Sequence, residues 1–293
     1  MKKEISILLP VYNNVCVSLV QQLLEQTTEF RDLQFEIIVA DDGSDNAELI
    51  KRNSEIATMD NCRYLALERN FGRAKVRNFL AQQAKYEWLL FLDSDVKLPA
   101  FFLRNYLQEM EGDIVYGGIK FLGSELLRSI NLRCRYECMS MADNILDKRN
   151  ENPYRSFSAA NFLIKKEIML QHPFDERFTG YGYEDVLFGK RLADSNIPIC
   201  HINNPVHIDQ FDNNPEYLAK IEESLKTLKR FKTELSGYSK ILESVKTLKK
   251  AHLDWTIRIW HMLFKAIEKH NLTGKSPNLT LFKLYKLGYY VCL

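Results

Sequence analysis

The stretch Glu87-Trp-Leu-Leu-Phe-Leu-Asp93-Ser94-Asp95-Val-Lys97 runs an apolar segment into two carboxylates one residue apart. Trp88 to Leu92 is too short for a helix and suits a strand buried on both faces, as in a parallel sheet covered by helices. Ligands of such sheets bind beyond the carboxyl ends of the strands. Asp93 and Asp95 then offer hard oxygen donors of the kind that hold Mg²⁺ or Mn²⁺ while leaving positions open for phosphate oxygens. Taken alone, the same residues also fit a strand followed by a solvated acidic turn.

Upstream and downstream, the chain keeps the same alternation. Short apolar strands near 4–9, 35–40, 63–67, 87–92 and 113–116 alternate with helix-compatible stretches at 16–27, 45–57, 73–84 and 99–110. Residues 123–148 read as one longer helix, and strand-like segments follow at 161–164 and 197–202. From Tyr217 the texture is helical throughout, with an echo between 220–229 and 240–249 that a pair of similar helices broken near Ser236-Gly237 explains. Leu253, Ile257, Trp260, Phe264 and Ile267 form a stripe at helical spacing, read as core packing. The aromatic, lysine-bearing segment 281–293 reads as a membrane-surface contact.

At 293 residues the chain is long enough for an ample core. Its net charge of +2 hides an asymmetry: residues 1–216 carry 25 Lys and Arg against 32 Asp and Glu, whereas 217–293 carry 15 against 6. Two domains are therefore expected, 1–215 and a basic helical extension over 216–293, the latter suited to an anionic partner. The start of the chain lacks a signal-like apolar segment and no apolar run is long enough to span a bilayer, so a cytoplasmic location is expected, peripheral at the membrane face if 281–293 attach there. The six cysteines are scattered without paired C-x-x-C motifs, which disfavours a zinc site or a disulfide framework.

Four further clusters fall where a nucleotide site would need them. The first strand ends in Leu9-Pro10-Val11-Tyr12-Asn13-Asn14 and the second in Ala40-Asp41-Asp42-Gly43-Ser44, both expected at the same sheet edge, where carboxylates accept from a base N–H or a ribose hydroxyl. Glu68-Arg69-Asn70-Phe71-Gly72 opens the helix that carries Arg77, so backbone N–H groups and guanidinium are placed for diphosphate oxygens. In Gly180-Tyr181-Gly182-Tyr183-Glu184-Asp185, glycines and tyrosines suggest a mobile loop that delivers two carboxylates to a helix start. The same pair would also simply favour the helix dipole. His207 is placed either to complete a metal shell or to face solvent.

This ordered set, with Asn161 added, resembles the family 2 glycosyltransferases of GT-A fold over about residues 4–210. The resemblance implies an α/β, mostly parallel nucleotide-binding sheet flanked by helices. It implies inverting, metal-dependent transfer of one sugar from a nucleoside-diphosphate sugar, with UDP as the nucleotide, to a glycan or lipid-linked oligosaccharide acceptor. Asp41 would contact the base, with Pro10, Tyr12, Asn13, Asp42, Arg69, Asn70, Gly72, Arg77, Asn161 and Gly182 around the nucleotide-sugar. Asp93 and Ser94 would reach the ribose and metal region, and Asp93, Asp95 and His207 would hold Mn²⁺ or Mg²⁺. Asp185 would be the general base and Glu184 would orient substrate hydroxyls. The Gln-x-x-Arg-Trp motif of processive members is absent, so single-sugar transfer is implied, and Tyr183 stands where many relatives carry a small residue.

Three rivals stand beside this reading. Gly274-Lys275-Ser276 resembles the end of a P-loop, but position 269 is Lys where the loop needs glycine, and no G-x-G-x-x-G follows the first strand. The basic tail contains no nucleic-acid reading module, so no nucleic-acid partner is expected. A non-catalytic sugar-nucleotide or carbohydrate-binding protein that retains the fold is the alternative of a different class.

Overall fold

The computed structural model describes residues 3–293, and Met1 and Lys2 lie outside it. Among the described residues nine strands and thirteen α-helices follow one another: β1 (Glu4–Val11), α1 (Val17–Thr27), β2 (Gln34–Asp41), α2 (Ala47–Ser54), β3 (Cys62–Ala66), α3 (Arg73–Gln83), β4 (Trp88–Leu92), α4 (Phe102–Gln108), β5 (Ile114–Tyr116), β6 (Ile119–Phe121), α5 (Glu125–Ile130), α6 (Leu132–Ser140) and α7 (Leu146–Glu151). There follow β7 (Asn161–Lys165), α8 (Lys166–Gln171), α9 (Glu184–Asp194), β8 (Ile199–His201), β9 (Val206–Ile208), α10 (Asn214–Arg230), α11 (Lys240–Lys250), α12 (Asp254–Thr273) and α13 (Leu279–Cys292).

By packing, the described residues divide into two units, the first made of 3–120, Asn144–Thr179 and Glu184–Ile208. This differs from the division at 215 drawn from charge, because the second unit takes up Phe121–Asp143 and Gly180–Tyr183 as well as Asp209–Leu293. In the first unit a seven-stranded sheet has the order β3-β2-β1-β4-β7-β5-β8, and β6 pairs with β9 separately. Strands β1 to β4 are parallel, and β7 runs antiparallel to both β4 and β5. The expected apolar runs fill the middle: every residue of β4 is buried. Phe91 stacks on Phe162 at 4.8 Å, and Phe162 is edge-on to Phe157 and Phe174.

The strand order turns back between β1 and β4, which makes the gap at their carboxyl ends a topological switch point where α/β sheets bind ligands. Pro10, which cannot donate to a ladder, is tolerated there because the β1–β4 register ends at Leu8↔Phe91.

The single helix expected over 123–148 is instead three short ones. Asn131 is extended (φ −107°, ψ 121°), and its side chain accepts from the Cys134 N–H, starting α6 afresh and ending α5. The second unit is otherwise helical, with a core of Leu132, Tyr217, Leu218, Leu272, Phe282 and Tyr285. The two echoing segments lie in separate helices, α10 and α11.

Two expectations about apolar faces are corrected here. Phe282, Tyr285, Gly288, Tyr290 and Val291 are buried, so 281–293 is a core helix of this unit and offers no aromatic face to a membrane. The stripe on α12, read as core, is in large part exposed: Leu253, Trp260 and Ile267 all face solvent. Both segments have the same helical period, and the period does not tell which one the neighbours cover. Among the described residues no helix is long and apolar enough to cross a membrane.

Candidate active site

The loops at the strand ends of the first unit are tied together by their own side chains. After β1, the Asn13 N–H donates to Ser44 Oγ (2.8 Å), the Asp45 N–H donates to Asn13 Oδ1 (3.1 Å), and Asn14 Nδ2 donates to Ser94 Oγ (3.3 Å). The last bond spans the switch point, from the loop after β1 to the loop after β4. Asn53, fully buried, accepts from the Cys16 N–H and donates to Asn14 O, fixing the exit of that loop. Tyr12 is left 48% exposed beside it, an aromatic surface at the sheet edge.

Asp41, the last residue of β2, and Asp42, which follows it, hold different neighbours. Asp41 accepts from the Ser44 N–H (2.8 Å) and the Tyr64 hydroxyl (2.5 Å), which leaves lone pairs on both oxygens for a donor group. Asp42 accepts from the Phe71 N–H (2.8 Å) on one oxygen and from the Gly72 N–H (2.9 Å) on the other. Burial raises its pKa against those two amide bonds, which lower it. These are the backbone donors expected to meet a diphosphate, and here Asp42 uses them to hold the 69–72 loop. Gly43 is required for this arrangement, since a Cβ there would lie 2.2 Å from the Arg69 carbonyl carbon. Arg69 and Asn70 are exposed, with the Arg69 guanidinium 4.9 Å from the Phe71 ring centroid.

Arg77 is the hub. Its guanidinium is buried and donates through Nη2 to Asp93 Oδ1 (2.7 Å) and through Nη1 to Glu184 Oε1 (3.4 Å), with Phe174 5.6 Å away beneath it. It therefore binds the β4 carboxylate to the first turn of α9, and does not project toward solvent as a free nucleotide contact. Glu184 Oε2 is a buried oxygen with no hydrogen-bond partner among the described residues.

Asp185 lies beside it, half-buried, accepting from the Val186 N–H (2.8 Å) and from the Ser158 hydroxyl. Burial and the neighbouring Glu184 carboxylate push its carboxyl up to about 6, with Arg77 opposing them. Helix α9 is held down by Leu187, Phe188 and Leu192, Phe188 stacking on Phe174 at 4.2 Å.

Asp95 is exposed on the loop after β4. Two residues on, Lys97 exchanges both backbone hydrogen bonds with His207 at 2.8 Å, so β9 is registered against the loop that carries Asp95. Among the described residues no group of three or more His, Cys, Asp or Glu is assembled as a metal shell.

The structure thus gathers Tyr12, Asn13, Asp41, Asp42, Arg69, Asn70, Gly72, Arg77, Asp93, Ser94, Asp95, Glu184, Asp185 and His207 within the first unit. Two expected residues stand apart. Asn161 is fully buried, its Nδ2 donating to Gly118 O and Asn204 O and its Oδ1 accepting from the Tyr106 hydroxyl, so it cross-braces β7 instead of facing a ligand. Gly182 (φ 88°) belongs to the second unit, where a Cβ would meet Ser224 at 3.1 Å. Asn14, Asn53, Tyr64 and Ser158 were not foreseen. Asn14 alone had a sequence signal, its adjacency to Tyr12-Asn13, whereas the others act through pairings that only the fold creates.

A mostly parallel sheet with ligand loops at its switch point and a carboxylate pair opening a helix is the GT-A arrangement. The same architecture is found in the S. aureus TarS 1-349 structure in complex with UDP-GlcNAc (TM-score 0.54, 20% identity, 91% of this chain and 72% of that one). It is found also in the mannosyltransferase PcManGT of Pyrobaculum calidifontis in complex with GDP-Man and Mn²⁺ (TM-score 0.56, 12% identity, 98% and 84%). The glycosyl transferase family 2 profile matches residues 6–169, and the chain belongs to that family.

Among similar sequences, the chondroitin synthase of Pasteurella multocida strain Pm70 is 27% identical over 223 residues, covering 64% of this chain and 23% of that one. The teichoic acid poly(glycerol phosphate) polymerase of Staphylococcus epidermidis is 26% identical over 163 residues, covering 54% and 22%. The chain spans about a quarter of the length of these two relatives.

Proposed function

We propose that this chain is an inverting glycosyltransferase that moves one sugar from a nucleoside-diphosphate sugar to a hydroxyl of a glycan or lipid-linked acceptor, in polysaccharide or glycoconjugate synthesis. The observation that carries the reading is the acidic pair: Asp185, with a carboxyl near 6, beside Glu184, whose buried Oε2 has no partner among the described residues. A general base works best with a pKa near the working pH, because it is then ionised yet basic enough to take a proton. The acceptor oxygen attacks the anomeric carbon opposite the diphosphate, the bond from that carbon to the phosphate oxygen breaks, the diphosphate leaves with the electron pair, and the hydroxyl proton passes to Asp185. Glu184 Oε2 accepts from a substrate hydroxyl, while Arg77 holds its other oxygen still.

Asp41 with its spare lone pairs is assigned to the base, Tyr12 to its ring face, and Arg69 and Asn70 to the diphosphate. Uridine diphosphate is the nucleotide expected, as TarS holds UDP-GlcNAc, a likeness of fold only.

A divalent ion fits the donor set. Asp95 offers carboxylate oxygen, His207 imidazole nitrogen, and Asp93 the oxygen not engaged by Arg77. Mg²⁺ and Mn²⁺ take their other ligands from phosphates and water, so a closed protein cage is not needed. When bound, the ion supplies Lewis-acid stabilisation of the leaving diphosphate.

Calorimetry with UDP and GDP tests the site directly. Binding of one nucleotide with Mn²⁺ present, weakened at least about tenfold by EDTA or by Asp95→Ala, is expected. Equal binding with and without metal would remove the ion from the account.

A further inference from the structure

Helix α12 has a packed inner side and an apolar outer one. Its inner side buries His261, Glu268 and Leu272, with the Glu268 carboxylate accepting from Trp260 Nε1 (2.8 Å) and paired with the His261 ring (3.0 Å). Its outer side carries Trp255, Ile259, Met262, Leu263 and Ile267 at the spacing of one helical face, with Leu263 at 69%, Ile267 at 64% and Met262 at 63% exposure. Leu253 extends the patch beyond the helix start. The helix has two acidic residues, Asp254 in its first turn and the buried Glu268, so no carboxylate stands on the outer face. A contiguous exposed face of five large apolar side chains marks an interaction surface.

The charge around it selects the occupant. The second unit carries 18 Lys and Arg against 12 Asp and Glu, while the first is acidic. Arg258 and Lys265 are exposed along one edge of α12, where Arg258 Nη2 donates to Val291 O (3.0 Å) and Lys265 Nζ lies 5.7 Å from the Tyr289 ring centroid, and Lys240, Lys246, Lys249 and Lys250 are exposed on α11. Lys229, Lys232, Lys249 and Arg258 are close enough that their mutual repulsion, after burial, lowers the pKa of Lys229. A second copy would not relieve this. In an antiparallel pairing across a two-fold axis each edge of the helix meets its own kind, so Arg258 and Lys265 would face their equivalents. Anionic headgroups would relieve it, with tryptophan and aliphatic side chains entering the acyl boundary and cations at the phosphates.

We infer that the outer face of α12 docks on an anionic phospholipid surface, with Trp255, Ile259, Met262, Leu263 and Ile267 inserted and the α11–α12 cations against the headgroups. This surface stands on the second unit alone and does not depend on the transferase reading.

The full chain is mixed with vesicles of phosphatidylcholine alone or with phosphatidylglycerol added, and binding is read by co-sedimentation and tryptophan emission. Trp255 and Trp260 are exposed and Trp88 is buried, so insertion shifts the emission to the blue. Binding to the anionic vesicles is expected, weakened by salt. In L263E/I267E it falls at least about tenfold, since each change removes an apolar anchor worth more than 1.4 kcal/mol, while circular dichroism stays unchanged because both side chains point outward. Three outcomes overturn the inference: no vesicle binding, binding indifferent to phosphatidylglycerol, or binding unchanged in the variant. A lipid-free dimer that the same variant dissolves would assign the face to a second copy instead.

Discussion

Asp185 and Arg77 are a carboxyl and a guanidinium whose charges the surrounding residues treat in opposite ways. The Asp185 carboxyl sits near 6 instead of the ordinary 3.8 because burial and Glu184 penalise its charge. Between those values the folded chain holds more protons than the unfolded one, so this group makes stability fall as pH rises through that window. The same group must be ionised to accept a proton, so turnover should rise with pH through about 6. Asp185→Asn therefore separates the two effects. It is expected to lower kcat by about 10²–10⁴ while raising stability at pH 7 by on the order of 1–3 kcal/mol, with little stability difference at pH 3; thermal melts across pH check it.

Arg77 has the opposite character. Arg77→Met leaves Asp93 and Glu184 without their shared counter-charge, and urea unfolding should register a loss of about 3–5 kcal/mol. Lysine would not rescue it, because a point ammonium cannot serve two carboxylates as the planar fork does. The sequence made the identity of these residues legible but not their partners. Asp42, Arg77 and Asn161 all read as ligand contacts because they are polar residues at strand and helix ends. Each also makes hydrogen bonds inside the protein, through contacts 29 or more residues apart for Asp42 and 107 for the Arg77–Glu184 pair.

At the scale of elements, α9 is positioned by close approach. A Cβ on Gly189 would lie 2.5 Å from Tyr154 O, with the Phe157 side chain also in contact. Alanine is the better helix former by about 1 kcal/mol, but forcing the helix off a packed neighbour costs about 1–3 kcal/mol, and the steric term should win. Gly189→Ala is thus expected to lower the melting temperature and to lose activity by displacing Glu184 and Asp185, whereas an alanine at Gly237, which meets nothing within 4 Å, should spare activity.

The strands of the large sheet were the most legible elements, since short apolar runs ending in turn residues admit few alternatives, whereas the three-residue β6 and β9 were too short to read. Helical periods were legible too, but not their interruptions or coverings. Asn131 reads as an ordinary polar residue until its side chain is seen starting α6. The stripes on α12 and α13 read alike until the packing buries Phe282 and Tyr285 and leaves Leu263 outside.

Over the whole molecule, the order of strand-end loops was readable because each strand of a parallel sheet delivers its carboxyl end to the same edge, so the motif order along the chain maps onto one crevice. The division into units was less so. Charge changes near 215, but Phe121–Asp143 and Gly180–Tyr183 join the second unit through packing that composition does not encode.

The carboxylate pair opening α9 is proposed to catalyse sugar transfer at a nucleotide site on the sheet edge. The most direct measurement is nucleotide release from a panel of UDP- and GDP-sugars with Mn²⁺, Mg²⁺ or EDTA, comparing wild type with Asp185→Asn in the same preparation. Release from one donor is expected, suppressed by EDTA and reduced by about 10² or more in Asp185→Asn. Release that proceeds undiminished in Asp185→Asn would contradict the proposed role.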